Sequence, residues 1–319
     1  MIFYTYEQLK DKLNDDNKIK IINDDFAIHS FKIYGYFDLV NNYKSDVKQV
    51  QENQELTIDD LLAIREIDND LQSLIFKYLI QIENTFKSHL SYLMGQEFGV
   101  NKADYTNPDN YETKISSERV FSKIEEKDHI DFTRDPAKHY LDKYSDIPPW
   151  VFLKHIPLGD TKNIYKELKN DHKNYIVNEM VPFLKSVSEN DKLQCFKEHM
   201  DFIHEFRNTI AHGGRLLNYK TVTKVQPKNY TNLFSKTVIP INKIYKYERR
   251  IYQLLLSIIL LINDSYLRGK FIAEVESLYK FFTQSRGNHF SDIFLEVSGL
   301  PNDFIYKLKQ SVRDLSTTS

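Results

Sequence analysis

The chain has 319 residues, with 9 Gly, 9 Pro, 41% hydrophobic residues, 13% aromatic residues and a formal net charge of −2. Turn residues this scarce exclude folds built from many short strands, which need a turn about every 8–12 residues. The near-neutral balance excludes a protein that coats nucleic acid by bulk charge, because such proteins are usually basic overall. Residues 1–57 read as an N-terminal helical segment, and residues 1–60 hold 12 acids against 7 bases. Residues 58–98 predict the longest helix, with Leu61, Ile64, Ile67, Leu71, Leu74, Ile75, Tyr78, Leu79, Ile82, Phe86 and Leu90 mostly three or four apart. Thr57 and Asp60 mark its start, and Gly95 and Gly99 lie near its end. Residues 100–149 are polar and contain Pro108, Pro136, Pro148 and Pro149, so they read as an irregular insertion with short helices. Further helices are expected over about 150–170, 174–187, 191–212 and 241–267. Residues 219–240, with Thr221-Val222-Thr223, Pro227 and Pro240, form a loop or a small β-like connection. The stretch 270–318 predicts two or three shorter helices, broken near Gly287 and at Gly299-Leu300-Pro301. The reading is therefore all-α. A core over 58–268 carries the insertion at about 100–149, and helical segments 1–57 and 269–319 flank it in one compact unit.

The single Cys195 rules out an internal disulfide and a Cys-rich metal site, and it suits a reducing cytoplasm. Lys10, Asp11 and Lys12 follow the start too soon for a signal peptide. The apolar run Ile251 to Ile262 is too short to cross a bilayer and reads as a buried helix. A cytoplasmic protein with no membrane partner is expected.

Two segments are locally basic. One contains Lys154, Lys162, Lys166, Lys169 and Lys173; the other contains Lys243, Lys246, Arg249 and Arg250. Each is either a solvated helix face or a phosphate-binding surface for RNA. Tyr165, Tyr245 and Tyr247 between the charges suit base stacking.

The chemistry concentrates in His204-Glu205-Phe206-Arg207-Asn208-Thr209-Ile210-Ala211-His212-Gly213-Gly214-Arg215. His204, Asn208 and His212 share one helix face, and Gly213-Gly214 supplies a helix stop. Arg207 lies about 140° around from His212 on an ideal helix. Such a group suits RNA cleavage without a metal. Attack by the 2′-hydroxyl on the adjacent phosphorus requires a base, and departure of the 5′-oxygen requires an acid. Histidine can serve either step near neutral pH. A guanidinium can bind the charge gathering on the phosphoryl oxygens, and Asn208 can orient either partner. Two other readings stand beside this one. His212 can be an ordinary helix C-cap, and His204 with His212 can contribute to a metal site, although no third ligand is spaced nearby.

Arg207-Asn208-x3-His212, followed by Arg215-Leu216-Leu217-Asn218, resembles the "RN-x3-H-x2-R-L/V-x-N" signature of Abi-like proteins. These are the AbiD/AbiF group of bacterial phage abortive-infection proteins, in the HEPN superfamily. Other segments match in order. Tyr6-Glu7-Gln8-Leu9 and Ile33-Tyr34-Gly35-Tyr36 resemble the family's opening region, Glu66 to Leu71 its "Y-E-F-D-x-x-L-R", and Ile82 to Lys87 its "I-E-x-x-x-R". His139-Tyr140-Leu141, Pro148-Pro149-Trp150 and Gly159 resemble "H-Y-L…P-x-W…G", and Gly299 to Phe304 the terminal "G-F-P-x-x-W". Departures are Gln72 in place of Arg, Ile33 in the opening pair and Phe304 in place of Trp.

The resemblance implies a HEPN-type helical bundle and, in active members, an endoribonuclease whose Arg-x4–6-His motifs meet in a homodimer. By position, Arg207 and His212 are the catalytic pair and Asn208 the supporting polar residue. Glu83 and Lys87 match a Glu-x3-Lys/Arg pair, whose other reading is an ordinary i, i+4 ion pair. His204 supports the site, and Lys243, Lys246, Arg249 and Arg250 contact RNA. The function expected is a metal-independent ribonuclease effector of phage defence or of a toxin–antitoxin system. It needs no cofactor, and a small structured RNA antitoxin is an expected partner. The alternative is a HEPN module that binds RNA or protein without cleaving.

Overall fold

The structure is a computed structural model that describes residues 2–15, 19–45, 56–127, 131–182, 184 and 188–317. Its spine is helix α3. Before it come α1 (Tyr6–Asp15), α2 (Asp24–Tyr34), a π-turn at Phe37–Asn41 and two short parallel strands, β1 (Ile19–Lys20) and β2 (Leu56–Thr57). Helix α3 spans Ile58–Glu97, 40 residues, or about 60 Å at 1.5 Å per residue. Its start is fixed by a reciprocal cap: Asp60 N–H donates to Thr57 Oγ1 and Thr57 N–H donates to the Asp60 carboxylate. Its apolar stripe, including Leu61, Ile64, Ile75, Ile82, Phe86 and Leu90, is buried.

The insertion contains α4 (Lys102–Tyr105), a 3-10 turn at Pro108–Asn110, α5 (Lys114–Glu125) and α6 (Ala137–Tyr144). Its aromatic rings pack on the segment that follows, Tyr105 and Phe121 both contacting Phe152. The helix expected over 150–170 is instead two, α7 (Pro149–His155) and α8 (Leu158–Glu167). Pro157 causes the break, because a residue before proline is driven out of the helical region, and Ile156 is extended at ψ 146°.

Helix α9 (Asn170–Met180) and helix α10 (Glu189–Ala211) follow. Residues 183 and 185–187, at the end of the helix expected over 174–187, lie outside the described residues. Residues 219–240 are loop apart from α11 (Lys228–Thr231). The helix expected over 241–267 divides into a 3-10 turn at Ile241–Lys246, α12 (Ile251–Leu261) and the start of α13 (Ser265–Arg286). Asp264 makes the second break by accepting the N–H of Leu267 at 2.7 Å as an N-cap. Every residue of α12 is buried, so this apolar run is a core helix. Helices α14 (Asn288–Ser298) and α15 (Phe304–Thr317) complete the chain, with breaks at Gly287 and Gly299, as the sequence predicts.

Helix α3 packs against α7, α8, α9, α10, α12 and α13. One apolar cluster runs from Leu13 to Leu315 and includes residues of all three expected segments. The fold is an all-α bundle. Among the described residues, no helix is long and apolar enough to cross a membrane.

Candidate active site

Helix α10 ends as the glycine pair predicts. Gly214 N–H donates to Thr209 O at 2.8 Å and Gly213 N–H to Ile210 O at 3.0 Å, a Schellman closure with Gly213 at φ +73°. Gly214 is required by space: a Cβ there would lie 3.0 Å from the Thr209 carbonyl oxygen and 2.7 Å from its methyl. His212 is the cap residue. Its side chain is exposed and makes no hydrogen bond or ion pair with the described residues.

Arg207 faces the opposite way, toward α3. Its Nε lies 3.4 Å from Glu83 Oε2, and its side chain is 27% exposed against 7% for Glu83. Both of those atoms are buried, and neither has a hydrogen-bond partner among the described residues. The guanidinium carbon sits 5.9 Å from the centre of the Phe76 ring. The other carboxylate oxygen of Glu83 takes Lys87 Nζ at 2.8 Å. Lys87 also donates to the carbonyl of Ile156 at 2.7 Å. Glu83 and Lys87 are therefore not a solvated surface pair: both are buried, and they hold Arg207 from behind.

His204 is held at both ring nitrogens. Lys162 Nζ lies 3.2 Å from Nδ1, and the Asn208 amide faces Nε2 at 3.1 Å. Asn208 Oδ1 is 3.4 Å from Nη1 of Arg207. Lys162 also pairs with Asp201 at 2.5 Å. Burial first, then the positive charges of Lys162 and Arg207, lowers the His204 pKa to about 4. The ring is therefore neutral at physiological pH, and with both nitrogens engaged it is not poised as a metal ligand. Among the described residues, no group of three or more His, Cys, Asp or Glu could hold a metal ion.

The loop behind the motif is tied down by carboxylates. Asp68 accepts the N–H groups of Leu216 at 3.1 Å and Leu217 at 2.9 Å, and the hydroxyl of Tyr43 at 2.6 Å. Gln72 hydrogen-bonds the same carboxylate, so the residue that replaces the family's Arg remains in contact with Asp68. Arg215 donates to the carbonyl of Asn42. Glu205 accepts Val222 N–H at 2.7 Å, Thr223 N–H at 2.8 Å and the Tyr219 hydroxyl at 3.0 Å. Burial alone would raise the Glu205 pKa, but these donors outweigh it and hold it below the usual carboxylate range.

The four basic residues expected to contact RNA fall into two pairs. Lys243 and Lys246 are exposed. Arg249 donates from Nε to the Thr221 carbonyl, and Arg250 donates to the side chain of Asn218. Those two guanidiniums brace the post-motif loop, each at a half-buried position. Sequence reasoning did not single out Asp68, Asp201, Glu205 or a role for Lys162 beyond the basic segment. Each reaches a partner distant in sequence, although Asp201 also pairs with Lys197 four residues earlier.

A family model described as Abi-like protein matches residues 29–218, more than half of the chain and the whole of the Arg-x4-His motif. No curated protein and no solved structure matches.

Proposed function

The chain belongs to the Abi-like protein family, and from that premise we propose that it is a metal-independent endoribonuclease of the HEPN type, acting as an abortive-infection effector against phage. One observation carries the reading. Arg207 is backed by the buried carboxylate of Glu83 and still part-exposed, five residues before an exposed His212 that has no side-chain partner among the described residues and sits on a fixed helix cap.

In this reading Arg207 binds the phosphoryl oxygens as charge gathers on them. His212 moves a proton at the attacking 2′-oxygen or the departing 5′-oxygen. His204, uncharged at neutral pH, positions rather than protonates, and Asn208 lies between it and Arg207. One chain directs Arg207 toward α3 and leaves His212 exposed at the helix tip. This favours a homodimer in which two motifs complete one site. Restraint by a small structured RNA belongs to the same reading, since such an RNA would occupy the phosphate-binding groups.

RNA cleavage in EDTA by wild type, Arg207→Ala and His212→Ala is the test. Each variant should lose about 100-fold or more in rate while remaining folded. Equal activity in all three sinks the assignment. RNA retained without cleavage by wild type favours the non-catalytic alternative. In that case charge reversal at the exposed Lys243 and Lys246 should weaken binding and flatten its salt dependence.

A further inference from the structure

Lys162 has no part in the scheme above. It lies on α8, is buried, and reaches Asp201 at 2.5 Å and Nδ1 of His204 at 3.2 Å. An ammonium has only protons to offer, so Nδ1 must accept, and the ring proton is left on Nε2. The Asn208 amide nitrogen faces Nε2 at 3.1 Å, so a proton on Nε2 calls for the amide to be turned end for end, which exchanges the 3.4 Å contact between Oδ1 and Arg207 Nη1 for a hydrogen bond from the ring.

A second contact on the same helix confines the ring. Gly159 lies three residues before Lys162, and a Cβ there would come within 3.3 Å of Cε1 of His204. Contacts also return to α8. Arg207 is paired with Glu83, Glu83 with Lys87, and Lys87 with the carbonyl of Ile156, two residues ahead of α8. Helix α10 is thus tied to α8 through Lys162 and, through Arg207, to α3 and the segment before α8, with Arg207 as the part-exposed member.

We infer that Lys162 is a positioning residue, which fixes the ring proton of His204 on Nε2 and, by drawing the Asn208 amide oxygen to the ring, leaves the part-exposed Arg207 guanidinium free for phosphate. Its effect on cleavage rests on the ribonuclease reading; the placement of the proton does not. The competing account is that Lys162 only neutralises Asp201.

Long-range 1H–15N correlation on full-length protein with 15N-labelled histidine tests this, with His204 assigned by its loss in His204→Gln. Wild type at neutral pH should show the neutral Nε2–H pattern for His204. Lys162→Met should shift that signal toward mixed tautomers and lower kcat about ten-fold, with KM changed less than about two-fold. Asp201→Asn removes the ion pair but leaves the lysine facing the ring, so it should keep the Nε2–H pattern. An imidazolium or Nδ1–H pattern in wild type overturns the inference, as does an unchanged tautomer in folded Lys162→Met. Should Lys162→Met not fold, the wild-type pattern still decides the tautomer. Gly159→Ala, which crowds the ring, should then perturb the His204 signals and lower kcat; unchanged signals and kcat overturn the inference. Wild type that cleaves no RNA would remove the ribonuclease reading while the tautomer result stands by itself.

Discussion

Asp68 accepts the backbone N–H of Leu217 at 2.9 Å, across 149 residues of chain. The same carboxylate holds Leu216 and the Tyr43 hydroxyl. Replacing it with Ala removes the acceptor shared by four donors, those of Leu216, Leu217, Tyr43 and Gln72. Asp68→Ala should therefore lower stability by about 2–4 kcal/mol, and Asp68→Asn, which keeps one acceptor, by less. Urea midpoints of the two variants test both the size and the order.

Glu83 stands between two cations, so its neutralisation should affect both. Glu83→Ala breaks a buried ion pair and should destabilise by about 3–5 kcal/mol. Glu83→Gln preserves shape and should cost less. Its sharper effect should be on RNA cleavage, because Arg207 loses the charge behind it. Arg207→Lys should leave stability nearly unchanged and reduce cleavage about ten-fold or more, since an ammonium cannot fork onto two phosphoryl oxygens. Denaturation and cleavage measured on the same preparations separate the two effects.

Gly214→Ala should destabilise by about 1–3 kcal/mol, because the new methyl meets the backbone oxygen of Thr209. Gly213→Ala should be milder: no atom lies within 4 Å of its added Cβ, and only the left-handed backbone opposes it. A thermal melt that ranks Gly213→Ala as the worse variant would contradict the crowding argument.

Two histidines in α10 make stability sensitive to acid. Burial lowers the His204 pKa to about 4 and that of His199, wholly buried, to about 3. The unfolded chain binds these protons near pH 6.5, so the unfolded state gains protons first as pH falls. Their contribution to stability is fully present above about pH 6.5. It declines through the window down to about pH 4 for His204 and about pH 3 for His199. Urea unfolding at a series of pH values should show this slope, and His204→Gln should make it shallower between pH 6.5 and 4.

What the sequence discloses is mostly local. The capping pair Thr57 and Asp60, the stripe on α3 and the Gly213-Gly214 stop act within a few residues, so spacing alone exposes them. The breaks at Pro157 and Asp264 lie inside apolar periodicity that continues across them, and a longer helix is the natural reading of each. The basic cluster at 243–250 misleads for a different reason. Charge is visible in a sequence, but whether a guanidinium faces water or a backbone carbonyl, as in Arg249, is decided by a loop about thirty residues earlier. Arg207 and His212 are legible as a motif, whereas Glu83 behind Arg207 shows its setting only once α3 and α10 are packed together.

The Asp68 tie also gives the first part of the chain a mechanical role. Tyr43 and the segment that follows the motif share one carboxylate, and Arg215 reaches back to Asn42 beside it. The N-terminal segment is therefore a handle on the loop that anchors the motif. A protein or nucleic acid that grips this handle, or a protease that removes it, would loosen the far end of the motif without touching Arg207 or His212.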